Sequence, residues 1–207
     1  MSYEIFDKYY KEYDLWYYEN KIIAENELLA LRVLKPEGLG LEIGVGTGYF
    51  AEKLNIQVGI DPSRNMLKIA RSRGIEVVQA FGERLPFREK VFDYVYIIVT
   101  ICFVKDPLKV LMEAYRVLKD EGKLIVAFIP RDSSWGRYYL EKKKNSVFYK
   151  HARLYSLNEV VNLIRLAGFR IIRSISTLHF HPEDPPRLEY PKEDTNGGFV
   201  CLLSEKV

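Results

Sequence analysis

The chain has 207 residues, of which 48% are hydrophobic and 29% are charged, and its formal net charge is +3. This size and composition predict a single well-packed domain over residues 1–207. A charge this small neither requires nor excludes a nucleic-acid partner. Because Cys102 and Cys201 are far apart and lack metal-ligand spacing, a reduced, cytoplasmic setting is favoured over a disulfide scaffold. No apolar run approaches the ~20 residues of a membrane span, so we expect no membrane partner.

Helix-like and strand-like segments alternate through the first half of the chain. Residues 3–34 are predicted to be helical in two pieces, and the breakers Pro36 and Gly38 follow them. The next predicted segments are a strand at 39–43, a helix at 47–54, a strand at 57–60, a helix at 62–73, and strands at 75–79 and 92–98. The last of these is largely apolar, which is typical of a strand buried on both faces.

The second half continues the alternation. Its predicted segments are a helix at 106–119, a strand at 123–129, a helix that closes at Gly168, and strands at 169–178 and 198–203. Ser156 and Glu159 form a capping-box pattern at the start of the second helix. Residues 130–155 interrupt the pattern and predict an insertion over one end of the sheet. The alternation as a whole predicts an α/β fold with a parallel sheet.

The most informative stretch is the turn after the first strand. Glu42 lies near the end of this strand, and Gly44, Gly46 and Gly48 follow at every second position. Glycines at such a turn let a ligand lie against the backbone. The following helix offers free N–H groups and the positive end of its dipole. The turn therefore predicts a site for a small ligand that carries a carboxylate or a phosphate.

Three other strand ends should meet at the same edge of the sheet, where ligands bind in parallel α/β folds. The second strand ends in Asp61, whose carboxylate can accept hydrogen bonds from both hydroxyls of a ribose. The third is followed by Phe81 and Gly82, which are flat and apolar enough to hold a purine. The fourth ends at Ile98, where backbone groups are available.

Two common phosphate-binding turns are disfavoured. The GxGxxG turn of dinucleotide-binding proteins needs a third glycine for close packing of helix and strand, and Tyr49 occupies that position. The G-K-[ST] run of a Walker-type loop is absent from the sequence.

The ordered motifs over residues 39–129 resemble the class I S-adenosylmethionine-dependent methyltransferases. Glu42-x-Gly44-x-Gly46-x-Gly48 looks like the first motif of that family. Further matching runs are Ile60-Asp61-Pro62-Ser63 with Met66, Gly82-Glu83-x-Leu85-Pro86-Phe87, Phe92-Asp93-x-Val95, Asp106-Pro107, Glu113-Ala114-x-Arg116-Val117-Leu118-Lys119 and Gly122-Lys123-Leu124. The sequence is most similar to the methyltransferase type 11 subgroup, which includes ubiquinone and menaquinone biosynthesis enzymes.

The resemblance implies a Rossmann-like, doubly wound, mostly parallel sheet of seven strands with an antiparallel last strand. It also implies that successive segments of the single domain have different roles. The expected parts are a helical lid at 1–36, a cofactor-binding half at 37–129, a substrate-side insertion at 130–155, and a C-terminal helix and strand pair at 156–207.

The cofactor that the resemblance implies is S-adenosylmethionine, with S-adenosylhomocysteine as the product. Gly44, Val45 and Gly46 would line its methionine part. Glu42 would lie near its amino group, and the carbonyl of Ile98 would accept from the same ammonium.

The adenosine part would lie beyond the second and third strands. Asp61 would hold the ribose hydroxyls. The residues bordering the adenosine would be Pro62, Ser63 and Met66. The backbone of Phe81 and Gly82 would donate to the adenine. Many relatives carry an acid at the position of Phe81, so stacking or a nearby group such as Glu83 would have to replace that contact.

The acceptor should lie between the N-terminal helix, the loop after the fourth strand and the insertion. Tyr9, Tyr13, Trp16 and Tyr17 share a face at helical spacing, which suits either an aromatic pocket wall or an ordinary amphipathic helix. An aromatic wall would suit an amine. The other candidate pocket residues are Thr100, Cys102, Trp135 and Tyr138.

No residue stands out as a general base. The weak candidates for a proton acceptor are His151, His179 and His181, and they have no third partner for a metal. Cys102 follows Ile101 rather than the proline of cytosine-carbon methyltransferases, so it is expected to be a small apolar wall residue. The lysines at 142–144 could contact phosphates or form a solvated basic face.

The predicted function is transfer of a methyl group from S-adenosylmethionine to nitrogen or oxygen of a small molecule by in-line displacement. A nucleic-acid base is disfavoured, because residues 97–100 are Ile-Ile-Val-Thr rather than the Asn-Pro-Pro-aromatic run of base-amine methyltransferases. Two alternatives stay open: an RNA or protein methyltransferase, and a catalytically silent module that binds the cofactor. The oligomeric state is left open.

Overall fold

The computed structural model describes residues 3–207. Seven strands form one sheet in the order β3-β2-β1-β4-β5-β7-β6. The strands are β1 Gly40–Ile43, β2 Val58–Asp61, β3 Glu76–Gln79, β4 Phe92–Ile98, β5 Leu118–Phe128, β6 Phe169–Thr177 and β7 Phe199–Lys206. β7 runs antiparallel to both of its neighbours, and β1 to β5 pair in parallel. The predicted doubly wound, seven-stranded sheet with an antiparallel last strand is confirmed.

Eight helices accompany the sheet in the described part of the chain. They are α1 Tyr3–Lys8, α2 Tyr10–Glu19, α3 Lys21–Val33, α4 Tyr49–Leu54, α5 Arg64–Ser72, α6 Pro107–Val117, α7 Ser134–Lys142 and α8 Leu157–Leu166. Two short 3₁₀ turns, Lys143–Asn145 and Tyr149–His151, complete the insertion. No helix within residues 3–207 has the length and apolar character needed to cross a membrane.

The N-terminal region forms three helices, so the prediction of two pieces was wrong. The backbone leaves the helical region at Tyr9 and again at Asn20, where φ is −109° in both cases. The amide of Asn20 donates to the carbonyl of Trp16 and closes the end of α2. These breaks let α1, α2 and α3 lie at different angles against the rest of the chain.

Local capping sets the other boundaries. α4 begins at Tyr49 and not at the predicted Thr47, because Gly48 has φ of 80° and serves as its N-cap. α5 begins at Arg64, since the Ser63 hydroxyl accepts from the N–H of Met66. The predicted capping box of α8 is confirmed.

β4 separates two apolar layers. Tyr94, Tyr96 and Ile98 pack into the layer formed with α2, α3, α4 and α5. Val95 and Ile97 pack on the opposite side, against α6 and α8. A strand that is apolar on both faces therefore lies at the centre of the sheet, as its sequence predicts.

Hydrogen bonds hold the long loop at 179–197 to the sheet and to α3. Asn26, fully buried on α3, donates from its amide to the carbonyl of Arg187 (2.8 Å) and accepts from the N–H of Glu189 (2.9 Å). The imidazole of His179 contacts the carboxylate of Glu189 at 2.8 Å. Ser176, on β6, also donates to a carboxylate of this loop, that of Asp194.

We expect Asn26→Ala to lower the free energy of unfolding by about 1–3 kcal/mol, because it leaves two buried backbone groups of the loop without partners. Denaturant unfolding measures this loss. The exposed Asn158→Ala on α8 is the control and should change stability by less than about 0.5 kcal/mol. Equal effects of the two substitutions would contradict the role given to Asn26.

Candidate functional site

A cavity of about 910 Å³ lies at the carboxyl ends of the parallel strands. Its volume lies within the range of small-molecule and cofactor sites. The strand ends and following turns contribute Ile43, Gly44, Gly46, Ile60, Asp61, Phe81, Gly82, Val99 and Thr100 to its wall. α1 and α2 contribute Tyr3, Phe6 and Tyr13 from the other side.

The turn after β1 has the backbone that its glycines predict. Gly44, Gly46 and Gly48 have φ of 76°, 53° and 80°, which L side chains rarely adopt. A Cβ on Gly44 would lie 2.3 Å from the hydroxyl oxygen of Thr100, so no larger residue fits there. The N–H groups of Gly44 and Val45 both donate to the carbonyl of Ile60, at 2.8 and 2.9 Å. These two hydrogen bonds hold the turn against β2, and the turn forms part of the cavity wall.

Asp61 joins this turn to the start of α5. Its carboxylate accepts from the N–H of Gly46 at 3.1 Å and from that of Ser63 at 2.8 Å. Burial raises the pKa of Asp61 to about 6, although these two N–H groups lower it. The side chain is 9% exposed and borders the cavity. The hydroxyl of Ser63, rather than Asp61, caps α5.

Glu42 is buried beside the turn, and one of its carboxyl oxygens lacks a hydrogen-bond partner. The side chain is 2% exposed, and Oε2 has no hydrogen-bond partner among residues 3–207. Burial, with a contribution from the charge of Asp61, raises the pKa of Glu42 well above its usual range. An orphaned carboxyl oxygen next to a glycine turn fits the ammonium group of an amino-acid ligand.

The backbone at Val99 is strained at the mouth of the cavity. Val99 follows β4 with φ of 49°, which is a genuine outlier for a β-branched residue. Its N–H donates to the carbonyl of Ala127 at 2.8 Å, and this bond holds the residue in place. The bend brings Thr100 to the wall opposite Gly44. Strain of this kind is common at binding sites, and the sequence gives no sign of it.

Hydrogen bonds join α1 to the start of α5. The carboxylate of Asp7 accepts from the hydroxyl of Ser63 at 2.8 Å and from the N–H of Asn65 at 2.9 Å. The N–H of Asn65, with these neighbours, lowers the pKa of Asp7. Tyr3 and Phe6 on the same helix reach the cavity wall. α1 therefore covers the site by polar contacts that the sequence analysis missed, because Asp7 and Asn65 share no motif.

A second set of polar contacts, made by Arg73, joins α2 to the glycine turn. The guanidinium of Arg73 donates to both carboxylate oxygens of Asp14, at 2.8 and 3.1 Å, and to the carbonyl of Thr47 at 2.7 Å. Bidentate pairs of this type are stronger than simple ion pairs. The helix that carries Tyr13 is thereby fixed relative to the turn.

Seven of the eleven predicted cofactor residues border the cavity. They are Gly44, Gly46, Asp61, Pro62, Met66, Phe81 and Gly82. The other four, Glu42, Val45, Ser63 and Ile98, are buried outside its direct lining. The carbonyl of Ile98 accepts from the hydroxyl of Thr100 at 3.0 Å.

The adenine end of the predicted site is aromatic. Phe81 is 46% exposed and meets the ring of Tyr3 edge to face at 5.5 Å. The carboxylate of Glu83, the predicted replacement for the missing acid, accepts from the N–H groups of Lys105 and Asp106 at 2.9 and 3.3 Å. Glu83 therefore holds the segment that leads into α6.

Only two of the eight predicted pocket residues, Tyr13 and Thr100, border the main cavity. The others are Tyr9, Trp16, Tyr17, Cys102, Trp135 and Tyr138. Tyr9 lies at the break before α2, and the indole of Trp135 donates to the carbonyl of Phe180 at 2.9 Å. Burial raises the pKa of Cys102 to about 12, so its thiol stays protonated near neutral pH.

The predicted histidines do not border the cavity. The ring of His179 contacts Glu189, Asp194 and Ser176, and these contacts help to hold the 179–197 loop in place. His181 is exposed in the same loop, and His151 ends the second 3₁₀ turn. Within the described part of the chain, no group of three or more histidine, cysteine, aspartate or glutamate side chains is arranged so that it could hold a metal ion.

Sequence comparisons connect this geometry to known proteins. A family model described as a methyltransferase domain matches residues 41–126. An uncharacterized protein of Methanocaldococcus jannaschii is 44% identical over 203 residues, which cover 98% of this chain and 99% of that protein. A demethylmenaquinone methyltransferase of Oceanobacillus iheyensis is 30% identical over 140 residues, which cover 58% of each protein.

A solved structure resembles the whole molecule. A crystal structure from Thermotoga maritima, described as an S-adenosylmethionine-dependent methyltransferase and possible histamine N-methyltransferase, is 43% identical. It superposes with a TM-score of 0.95 and covers 99% of this chain and 100% of that one. The similarity therefore includes the N-terminal helices and the insertion as well as the motifs.

We expect Asp7→Ala to loosen α1 from α5. Hydrogen bonds to a charged group contribute about 1.5–3 kcal/mol, so amide exchange in α1 should become faster by at least about tenfold. Hydrogen–deuterium exchange with mass spectrometry measures this change. The exposed Glu12→Ala on α2 serves as the control and should leave exchange in α1 as it is in the wild type. Unchanged exchange in Asp7→Ala would show that the contact does not hold α1.

Proposed function

The chain belongs to the S-adenosylmethionine-dependent methyltransferases, and we propose that it transfers the methyl group to a nitrogen or oxygen atom of a small-molecule acceptor. The observation that carries the proposal is a single cavity with two kinds of wall. The glycine turn and Asp61 lie on one side, and the aromatic side chains of α1 and α2 lie on the other. Such a cavity has room for a cofactor beside a small acceptor.

The residues of this chain fit the cofactor. Its amino group would find the unpartnered carboxyl oxygen of Glu42, and its ribose would lie against Asp61. The glycine turn would let the methionine part approach the backbone, where a Cβ on Gly44 would meet Thr100. Met66 and Phe81 would border the adenosine.

When bound, the cofactor supplies an activated methyl group on a positively charged sulfur. The protein has to hold the acceptor atom in line with the carbon and the sulfur, and to exclude water. Alignment of this kind can contribute about 7–11 kcal/mol to lowering the barrier. Tyr3, Phe6 and Tyr13 would provide the apolar cover that excludes water. We propose on this basis that α1 acts as a lid.

Two observations favour a small acceptor over RNA or protein. The cavity has an aromatic wall, and the lysines at 142–144 of the insertion do not contribute to it. The Nζ of Lys143 donates to the carbonyl of Ala152 at 2.8 Å, so this lysine has a role within the fold. Nitrogen is favoured as the acceptor atom, since the similar Thermotoga maritima protein is described as a possible N-methyltransferase.

The proposal is tested with S-adenosylmethionine labelled in its methyl group. The acceptors offered are a set of small amines and alcohols, bulk RNA and a protein extract. We expect label in a small molecule, with one S-adenosylhomocysteine formed per methyl group transferred. Label in RNA or protein alone would favour the macromolecular alternative. Cofactor binding without transfer to any acceptor would favour the silent module.

A matched pair of glycine substitutions controls this assay. Gly44→Ala and Gly74→Ala both place a Cβ at positive φ, but only Gly44 lies at the cavity, and a Cβ on Gly74 meets nothing within 4 Å. Each should cost about 1 kcal/mol or more of stability. We expect only Gly44→Ala to abolish transfer. Loss of transfer in both variants would trace the effect to backbone strain rather than to the site.

A further inference from the structure

The glycine turn after β1 uses much of its own hydrogen-bonding capacity inside the protein. The backbone N–H groups of Gly44, Val45, Gly46 and Gly48 all have acceptors within the chain. The methionine part of the cofactor carries a carboxylate as well as an amino group, and a carboxylate in a closed site needs hydrogen-bond donors. A carboxylate that lies on this turn therefore calls for a donor from another part of the chain.

The ring of Tyr13, on α2, lies directly against this turn. A Cβ on Gly46 would lie 3.5 Å from Cε1 of Tyr13, which is an ordinary van der Waals contact. Tyr13 and Gly46 both border the main cavity, and they belong to its two facing walls. A ligand that lies on the turn at Gly46 is therefore next to the side chain of Tyr13.

The hydroxyl of Tyr13 has a proton to donate. Its oxygen lies 2.9 Å from the hydroxyl oxygen of Tyr17, and neither hydroxyl has another hydrogen-bond partner among residues 3–207. Burial raises the pKa of both phenols above its ordinary value, so both keep their protons near neutral pH. One hydrogen bond uses one of these two protons. Because Tyr17 is 7% exposed and does not border the cavity, the second proton can reach a ligand only from Tyr13.

Contacts on both sides of Tyr13 fix its position relative to the turn. The ring of Tyr17 stacks on that of Tyr49, the first residue of α4, with the centroids 4.1 Å apart. Asp14, the next residue along α2, pairs with Arg73, which also binds the turn. The size of Tyr49 argues against a dinucleotide-binding turn, and here the same side chain supports α2. The hydroxyl of Tyr13 is thus positioned before a ligand binds, which lowers the cost of ordering it.

From this geometry we propose that the hydroxyl of Tyr13 donates a hydrogen bond to the carboxylate of the cofactor's methionine part, an inference that rests on the proposed function. The glycine turn is bordered by an acceptor without a donor, Oε2 of Glu42, and by a donor without an acceptor, the Tyr13 hydroxyl. An amino-acid group, with its ammonium and its carboxylate, satisfies both. Tyr13 is thereby a cofactor-binding residue as well as part of the aromatic wall.

The test compares two ligands that differ only in the carboxylate. They are S-adenosylhomocysteine and its decarboxylated form, which keeps the adenosine and the amino group, and both are titrated by calorimetry. We expect the wild type to bind S-adenosylhomocysteine at least about tenfold more tightly, since hydrogen bonds to charged groups are the strong ones. Tyr13→Phe should lose most of this preference, because it weakens S-adenosylhomocysteine and leaves the affinity for the decarboxylated ligand almost unchanged.

Two matched variants separate binding from folding. Tyr17→Phe breaks the same hydrogen bond as Tyr13→Phe but keeps the hydroxyl at the cavity, so its affinity for S-adenosylhomocysteine should fall clearly less. Denaturant unfolding should show similar losses of stability in these two variants. Tyr10→Phe removes a hydroxyl from the same helix away from the cavity and should bind both ligands as the wild type does.

The role of Tyr13 and the proposed function fail in different ways. If the wild type does not bind S-adenosylhomocysteine, the proposed function fails. If it binds that ligand but Tyr13→Phe keeps the full preference for the carboxylate, the role of Tyr13 is overturned and the proposed function stands. The same holds if Tyr13→Phe weakens both ligands equally, or if Tyr17→Phe loses as much affinity as Tyr13→Phe does.

Discussion

The carboxylate of Asp61 is the contact on which the geometry of the site depends. It accepts one N–H from the turn after β1 and another from the turn that begins α5. A single buried side chain on β2 therefore joins the turn after β1 to the start of α5 at the cavity. The two N–H groups that fix this side chain also offset part of its desolvation, and the pKa of Asp61 is still raised to about 6.

Two further carboxyl groups, Glu42 and Glu27, do not receive this compensation from the protein. Each is buried, and burial raises the pKa of each. Natural folds seldom keep such groups unless they have a use, because replacement by an amide or an apolar residue removes the cost. On our account, Glu42 meets the amino group of the cofactor.

More of the predicted cofactor residues than of the predicted acceptor residues border the cavity, and the reason is physical. Strand ends in a parallel sheet converge, so short motifs such as the glycine turn and Asp61 lie near one another in any chain with this topology. The acceptor end is built from helices whose orientation depends on breaks at Tyr9 and Asn20. Helical periodicity placed Tyr9 and Trp16 with Tyr13, but the break at Tyr9 and the fastening of Asp7 to Ser63 decide what reaches the cavity.

The central claim is that the cofactor binds at the glycine turn beside Asp61. Calorimetric titration with S-adenosylmethionine and S-adenosylhomocysteine, on the wild type, Asp61→Ala and the exposed control Asp120→Ala, tests it most directly. We predict that Asp61→Ala weakens both ligands by at least about tenfold and that Asp120→Ala leaves them unchanged. Equal affinity in all three proteins, or no binding by the wild type, would contradict the claim.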